Sequence, residues 1–326
     1  GPRNILSRIY VSAPIGITVE GANILTRSLI VFGQGSIRCH PYVHAEMQAV
    51  AGGDLKGFDK AFFGHLRFVA VNAVRSLVRA LTGARLVTAP EDGPAAKYYR
   101  ALTRYSAAFA LLTDICLSTL GGALKRREKI SGRLADAFAW LYLASATLKR
   151  FHDDGRPAAD VALLRWSCDL ALWNIQEALR GVLDNRPNRP AAWATRLLIF
   201  PTGARQRPPG DELGAQVARG LLDGDATRLR LTADIFIPDP AEDGLGRLEA
   251  ALHLVVAAKD ADARVRDAVR AGALDREPRD TLFVRAAAQG VIDAAGRQRL
   301  EAAEAARDDV IQVDQFDPET YAGLKG

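Results

Sequence analysis

Apolar residues recur three and four positions apart along almost the whole chain, and alternating β-branched runs are nearly absent. That spacing lays apolar side chains along one stripe of a helix, whereas a half-buried strand would need a period of two. The pattern predicts an all-α fold: a helical bundle with a peripheral layer of short helices. With 326 residues and 48% hydrophobic content, the chain can fill a continuous core as one large or two ordinary domains. No segment approaches the roughly 18 to 20 consecutive apolar residues of a membrane span.

The breaks in this pattern order the helices. After the loop around Pro14 and Gly16, a helix is predicted from Ala22 to about Phe32, with "GQG" ending it because glycine tolerates a left-handed helix terminus. A short helix is predicted over Val43–Val50, "AGGD" breaks the chain at 51 to 54, and a long amphipathic helix follows over Leu55–Leu81. A domain boundary is expected at that break. The next helical pattern runs from Ala95 to His152, interrupted at Gly121-Gly122 by a kink or a tight helix crossing, and "DDGRP" closes it. Pro157 then stands near the start of a helix whose Leu164, Trp166, Leu172, Trp173 and Leu179 predict deep packing. "DNRPNRP" at 184 to 190 reads as a turn. From "TGARQRPPG" onward Ala, Arg and Asp increase, which predicts shorter helices wrapped on the bundle rather than a new core.

Composition narrows the function classes. The net charge of +5 comes from 43 basic residues interleaved with 38 acidic ones, so it does not point to nucleic acid. The three cysteines, Cys39, Cys116 and Cys168, are too widely spaced for a disulfide framework, and a reducing cytoplasm is the default expectation. Cys39, His40 and His44 suggest a metal site, but Pro41 breaks the geometry that would align them, and they are read as structural, with no metal expected. The N-terminus, Gly1-Pro2-Arg3, has no initiator Met and no signal pattern, which predicts a piece of a longer chain.

The chemistry-bearing stretch is "ITVEGANILTR" at 17 to 27. From the residues alone, Glu20 is a carboxylate favoured by the dipole of a helix start. "PIGITVEGANILTRSLIVFGQGSIRCHPYV" at 14 to 43, however, resembles the end of the catalytic core of acyl-CoA dehydrogenases, specifically the bacterial long-chain branch. There a Glu-Gly pair precedes a helix that carries an Arg. "FDKAFFGHLRF" (58–68), "LGGALKRREKISGRLADAFAWLYLASATLKRF" (120–151) and "VLDNRPNRPAAW" (182–193) resemble the helical C-terminal extension of that branch. The resemblance divides the chain into 1–51, the end of the catalytic helical domain, and 54–326, the extension.

The resemblance implies an FAD-dependent enzyme that oxidises long-chain acyl-CoA to trans-2-enoyl-CoA in fatty acid β-oxidation. Glu20 would be the base that takes the α-proton, and Gly21 would let the backbone approach flavin and substrate. Ala22, Asn23 and Arg27 complete the implied cofactor-binding set. Ala22 departs from the family, where a Thr commonly follows Glu-Gly, so backbone contacts alone remain there. Asn23 has the alternative of bonding its own backbone at a helix start, and Arg27 that of an ordinary helix-surface ion pair. Electron-transfer flavoprotein is the implied electron acceptor, a homodimer the implied assembly and the cytoplasm the location. With most flavin contacts upstream, these 326 residues alone are expected to be inactive.

Two other readings belong beside this one. "LKRREK" at 124 to 129 is a solvated charged face or a patch for an acidic partner, and "AFAWLYLASATL" at 137 to 148 is a buried core helix or, with that basic patch, a peripheral contact at the inner face of a membrane. The alternative function is a non-enzymatic docking or dimerisation module.

Overall fold

The computed structural model describes residues 5–16, 24–223, 226–240, 244–313 and 316–323. The chain forms two compact units, one of residues 19–217 and one of residues 1–18 with 218–326. The latter contains α1 (Ile5–Ser12) and the C-terminal helices. Among the described residues there is no strand, and the all-α expectation holds.

Unit 19–217 runs through a π-helical α2 (Ile24–Gln34), α3 (Gly35–Arg38), α4 (Val43–Gly52), α5 (Leu55–Leu81), α6 (Ala96–Leu120), α7 (Glu128–Asp153), α8 (Val161–Asn185) and α9 (Arg189–Ile199). Local chemistry sets the helix ends. Asp54 caps α5 by accepting from the Gly57 N–H at 2.9 Å, and Asn188 caps α9 by accepting from the Ala191 N–H at 3.0 Å. Gly121, at φ 50°, takes a conformation that L side chains rarely adopt and so stops α6. A short tight turn over Gly121–Arg126 then leads into α7, which packs against α6. The glycine pair therefore separates two helices and does not kink one. The predicted stop at "GQG" is corrected as well, because the helical backbone continues through Gly35 to Arg38 with neither Gly33 nor Gly35 at positive φ. Glycine permits a left-handed terminus and does not compel one.

The core follows from the spacing of apolar residues. Buried Ile130, Leu134, Ala137, Ala144, Leu148 and Phe151 stand three, four or seven apart on α7. On α8, Leu164, Cys168, Leu172, Ile175, Leu179 and Val182 keep the same rhythm. Each stripe holds to one face, and α7 against α8 is the most extensive helix pairing among the described residues. The run at 137–148 is thus only partly the buried core helix expected from sequence: Phe138, Tyr142 and Leu143 are exposed on its other face.

Helix α6 completes the core with Tyr98, Leu102, Tyr105, Leu112 and Cys116. An 18-residue window within Gly93–Arg126, the stretch that contains it, has a mean hydropathy of 1.6, and by length and composition that stretch could cross a membrane, although Lys97, Arg100, Arg104 and Asp114 interrupt its apolar residues. Within this unit α6 instead spends its apolar face on α5, α7 and α8.

In the other unit, α11 (Ala226–Leu231), α12 (Gly244–Arg270), α13 (Arg279–Ala288), α14 (Ala294–Ile311) and α15 (Pro318–Gly323) follow α10 (Asp211–Leu222), which runs across the boundary at 217. These helices carry a small core of their own, contrary to the expectation of none. Ala258, Ala261 and Val265 of α12 meet Leu300 and Ala303 of α14, with Phe283 of α13 beside them. The alanines bring the helices close together, at the expense of apolar volume. Nor are all these helices short, since α12 has 27 residues.

Leu148→Ala should lower stability by about 2–5 kcal/mol, because a fully buried leucine leaves a cavity that its neighbours fill only in part. Tyr142→Ala, on the open face of the same helix, should stay within about 0.5 kcal/mol of the parent. Urea unfolding followed by circular dichroism checks both.

Candidate functional site

Three helices and the turn before α4 converge on a buried polar cluster. The turn supplies His40, α4 supplies Glu46, α5 supplies His65, and α6 supplies Asp114 from the middle of its apolar stretch "AAFALLTDICL". His40 Nε2 stands 2.9 Å from Asp114 Oδ1, with both side chains almost fully buried. His65 Nδ1 stands 2.9 Å from Glu46 Oε1, and its Nε2 lies 3.6 Å from the same Asp114 oxygen, beyond hydrogen-bonding range. The His40 and His65 rings are 4.6 Å apart between centroids, and Phe68 meets His40 edge-on at 5.5 Å.

Backbone donors decide the state of His40. Its Nδ1 accepts from the N–H groups of Tyr42 and Val43, at 3.2 and 3.1 Å, and so satisfies amides left unpaired at the start of α4. A nitrogen that accepts two N–H groups carries no proton, so the one ring proton sits on Nε2 and is donated to Asp114. His40 is therefore neutral, and it ties the entry of α4 to the C-terminal third of α6.

His40, His65 and Asp114 place three possible ligand atoms within 4.8 Å of one another, as a metal centre would. A histidine ligand, however, needs a lone pair toward the metal and normally donates its other ring N–H to an acceptor. His65 meets that requirement through Glu46, and His40 does not, because both of its nitrogens are committed. The cluster is a hydrogen-bond network and not a metal centre. Of the residues weighed for metal from sequence, only His40 takes part: Cys39 and His44 are exposed. His65 and Asp114 were missed there because they are distant along the chain. The signal that marks Asp114 is a carboxylate inside an apolar helical run.

Of the residues implied as catalytic or cofactor-binding, Glu20, Gly21, Ala22 and Asn23 lie outside the described residues. Arg27 is described. Its Nη1 stands 3.3 Å from Asp136 Oδ1 of α7, with both side chains part-exposed. It lies over Gly132, where an added Cβ would come within 2.6 Å of Arg27 Nη2 and would make the guanidinium shift. Burial raises the Asp136 carboxyl above its ordinary value, while Arg27 and Arg133 pull it down. This contact is the ion pair that was the alternative for Arg27.

The thiols separate by burial. Cys116 and Cys168 are buried, and desolvation pushes them up to about 11 and about 12 respectively, which leaves little thiolate at neutral pH. A chromogenic disulfide reagent should accordingly titrate one thiol of the three, Cys39, in the native chain, and all three after unfolding. His40→Ala removes the donor to a buried carboxylate and should lower stability by about 1.5–3 kcal/mol, read by urea unfolding. Added zinc should leave the melting temperature unchanged, since His40 has no lone pair to offer.

The cluster falls within the stretch that relates this chain to known proteins. The family described as acyl-CoA dehydrogenase, C-terminal, bacterial type matches residues 37–316, while Glu20 to Arg27 precede the matched region. No solved structure matches the chain. A match over most of the sequence, joined to the all-α bundle, places it: the chain belongs to the bacterial-type acyl-CoA dehydrogenase C-terminal family.

Proposed function

We propose that this chain serves an FAD-dependent dehydrogenase of long-chain acyl-CoA, with Glu20 as the base that removes the α-proton. The observation that carries this reading is the family match over residues 37–316. The stretch "VEGANILTR" just upstream supports it, because it places a carboxylate beside a glycine where the resemblance expects the base. Bound FAD would supply the acceptor for the β-hydrogen, with Gly21, Ala22 and Asn23 as its candidate contacts on this chain. Arg27 has a positioning role: paired with Asp136 and seated on Gly132, it ties the helix that follows Glu20 to α7.

The α-proton of a thioester is weakly acidic, so its removal needs a desolvated carboxylate in contact with the carbon and a donor to the carbonyl oxygen. Glu20 would take the proton on a carboxylate oxygen, and its own backbone N–H would donate to the thioester oxygen. Trans-2-enoyl-CoA would be the product, electron-transfer flavoprotein the electron acceptor, and a homodimer in the cytoplasm the working form. A docking role is the second reading, favoured by the exposed Phe63, Leu66 and Val74 of α5 and by Tyr142 of α7. The exposed Lys125, Arg126, Arg127 and Lys129 before and within α7 are its candidate contacts with an anionic membrane.

In the flavin-loaded enzyme, Glu20→Gln keeps the shape of the side chain and removes the basic carboxylate. Acyl-CoA binding should persist while flavin reduction slows by about 100-fold or more. Anaerobic stopped-flow absorbance with a saturated long-chain acyl-CoA makes the measurement. Flavin reduction at the parental rate would remove Glu20 from the role of base.

A further inference from the structure

A stripe of α6 forms the floor of a groove of about 630 Å³ within unit 19–217. Tyr99, Thr103, Ser106 and Phe109 recur three or four positions apart and so share one face of the helix. Ser106 is exposed there and the other three are half-buried. Arg79 of α5 stands on the groove from one side, and Phe138, Leu141 and Tyr142 of α7 stand on it from the other. The volume falls within the range of ligand pockets, roughly 300–1,000 Å³.

One end of the groove carries a charge. Arg79 Nη1 donates to the Thr103 carbonyl at 2.9 Å, which fixes the guanidinium at that point of the floor. Its Nε and Nη2 make no hydrogen bond or ion pair among the described residues, and neither is shut away from solvent. Arg75, one turn back on α5, also has no carboxylate partner among the described residues. Burial, and after it the Arg75 charge, lowers the Arg79 guanidinium from its ordinary value. An arginine nevertheless stays charged at neutral pH, whatever surrounds it.

Nothing in the groove answers that charge. Its lining contains no Asp or Glu. Glu91 and Asp153, whose charges reach Tyr99, are already paired with Arg156 and Lys149. Two like charges one turn apart repel, so an anion at Arg79 relieves the helix as well as matching the groove. A guanidinium fork suits the two oxygens of a carboxylate, and one positive charge suits a monoanion.

The other end is aromatic. Phe109 and Phe138 meet at 6.1 Å between ring centroids, and Tyr142 is 68% exposed beside them. Phe109 follows Thr103 by six residues, roughly 9 Å along the helix, which is the reach of a ring on a short chain. Aromatic rings favour offset or edge-on neighbours of their own kind.

We propose that this groove binds a compact monocarboxylate with an aromatic body. The carboxylate accepts from the free N–H groups of Arg79, and the ring lies against Phe109, Phe138 and Tyr142. The proposal uses no residue between Glu20 and Arg27 and stands apart from the dehydrogenase reading.

The test titrates the 326-residue chain with phenylbutyrate, phenylbutanol and butyrate, followed by calorimetry and ligand-observed saturation-transfer NMR. Phenylbutyrate should bind at least about fivefold more tightly than the alcohol, which lacks the charge, or butyrate, which lacks the ring. Arg79→Gln keeps a donor and removes the charge, so it should bring phenylbutyrate within about twofold of phenylbutanol. Ser106→Phe, at an exposed position of the floor, fills the groove without touching the charge and should abolish binding of both ring-bearing probes. It decides the matter if the Gln variant fails to fold by circular dichroism. No binding of phenylbutyrate, equal binding of acid and alcohol, a preference that survives in folded Arg79→Gln, or binding unchanged by Ser106→Phe would each overturn the proposal. In the first two cases Arg79 is simply solvated, and in the others the carboxylate sits on another cation of the surface.

Discussion

Asp114 sets the terms for the first half of the chain. It is a carboxylate in the C-terminal third of α6, within an apolar run, and burial without partners would cost several kcal/mol. His40 meets part of that need from the turn before α4, at 2.9 Å, and His65 approaches from α5. Because His40 also accepts from the first amides of α4, one imidazole joins two elements that are far apart in sequence. The apolar stripe of α6 says which face is buried; the Asp114 contact says where along that face α4 and α5 are registered.

A second constraint works through α7. One face packs on α8 by matched three-and-four spacing, and another receives α2 at Gly132. The Arg27–Asp136 pair sits over that glycine and links α2 to α7 by charge. Part-exposed ion pairs contribute little to stability, typically about 0–1 kcal/mol, so the pair acts mainly to orient.

The C-terminal unit shows how little apolar volume a core requires when helices approach closely. Ala258, Ala261 and Ala303 at the α12–α14 contact replace the leucines that fill the α7–α8 contact. Close packing gains many weak contacts at short range, and it compensates in part for smaller side chains. The rise in alanine along this part of the sequence therefore signals a tightly packed helix pair, where it had suggested an outer layer without a core.

Local order was readable from the sequence because helix period, capping and glycine punctuation act over a few residues. Leu55–Leu81 has the predicted bounds, the break at Gly52–Gly53 is in place, and all three cysteines are free. The bacterial acyl-CoA dehydrogenase resemblance was readable too, from long stretches whose family matches residues 37–316. What the sequence could not supply was any contact between distant positions. Asp114 and His40 are 74 residues apart, and nothing in either segment specifies the other. The tautomer of His40, which separates a hydrogen-bond network from a metal centre, depends on where the backbone amides of Tyr42 and Val43 point. Only the packed structure decides that, because it is the burial of Asp114 that makes the partner of each nitrogen matter.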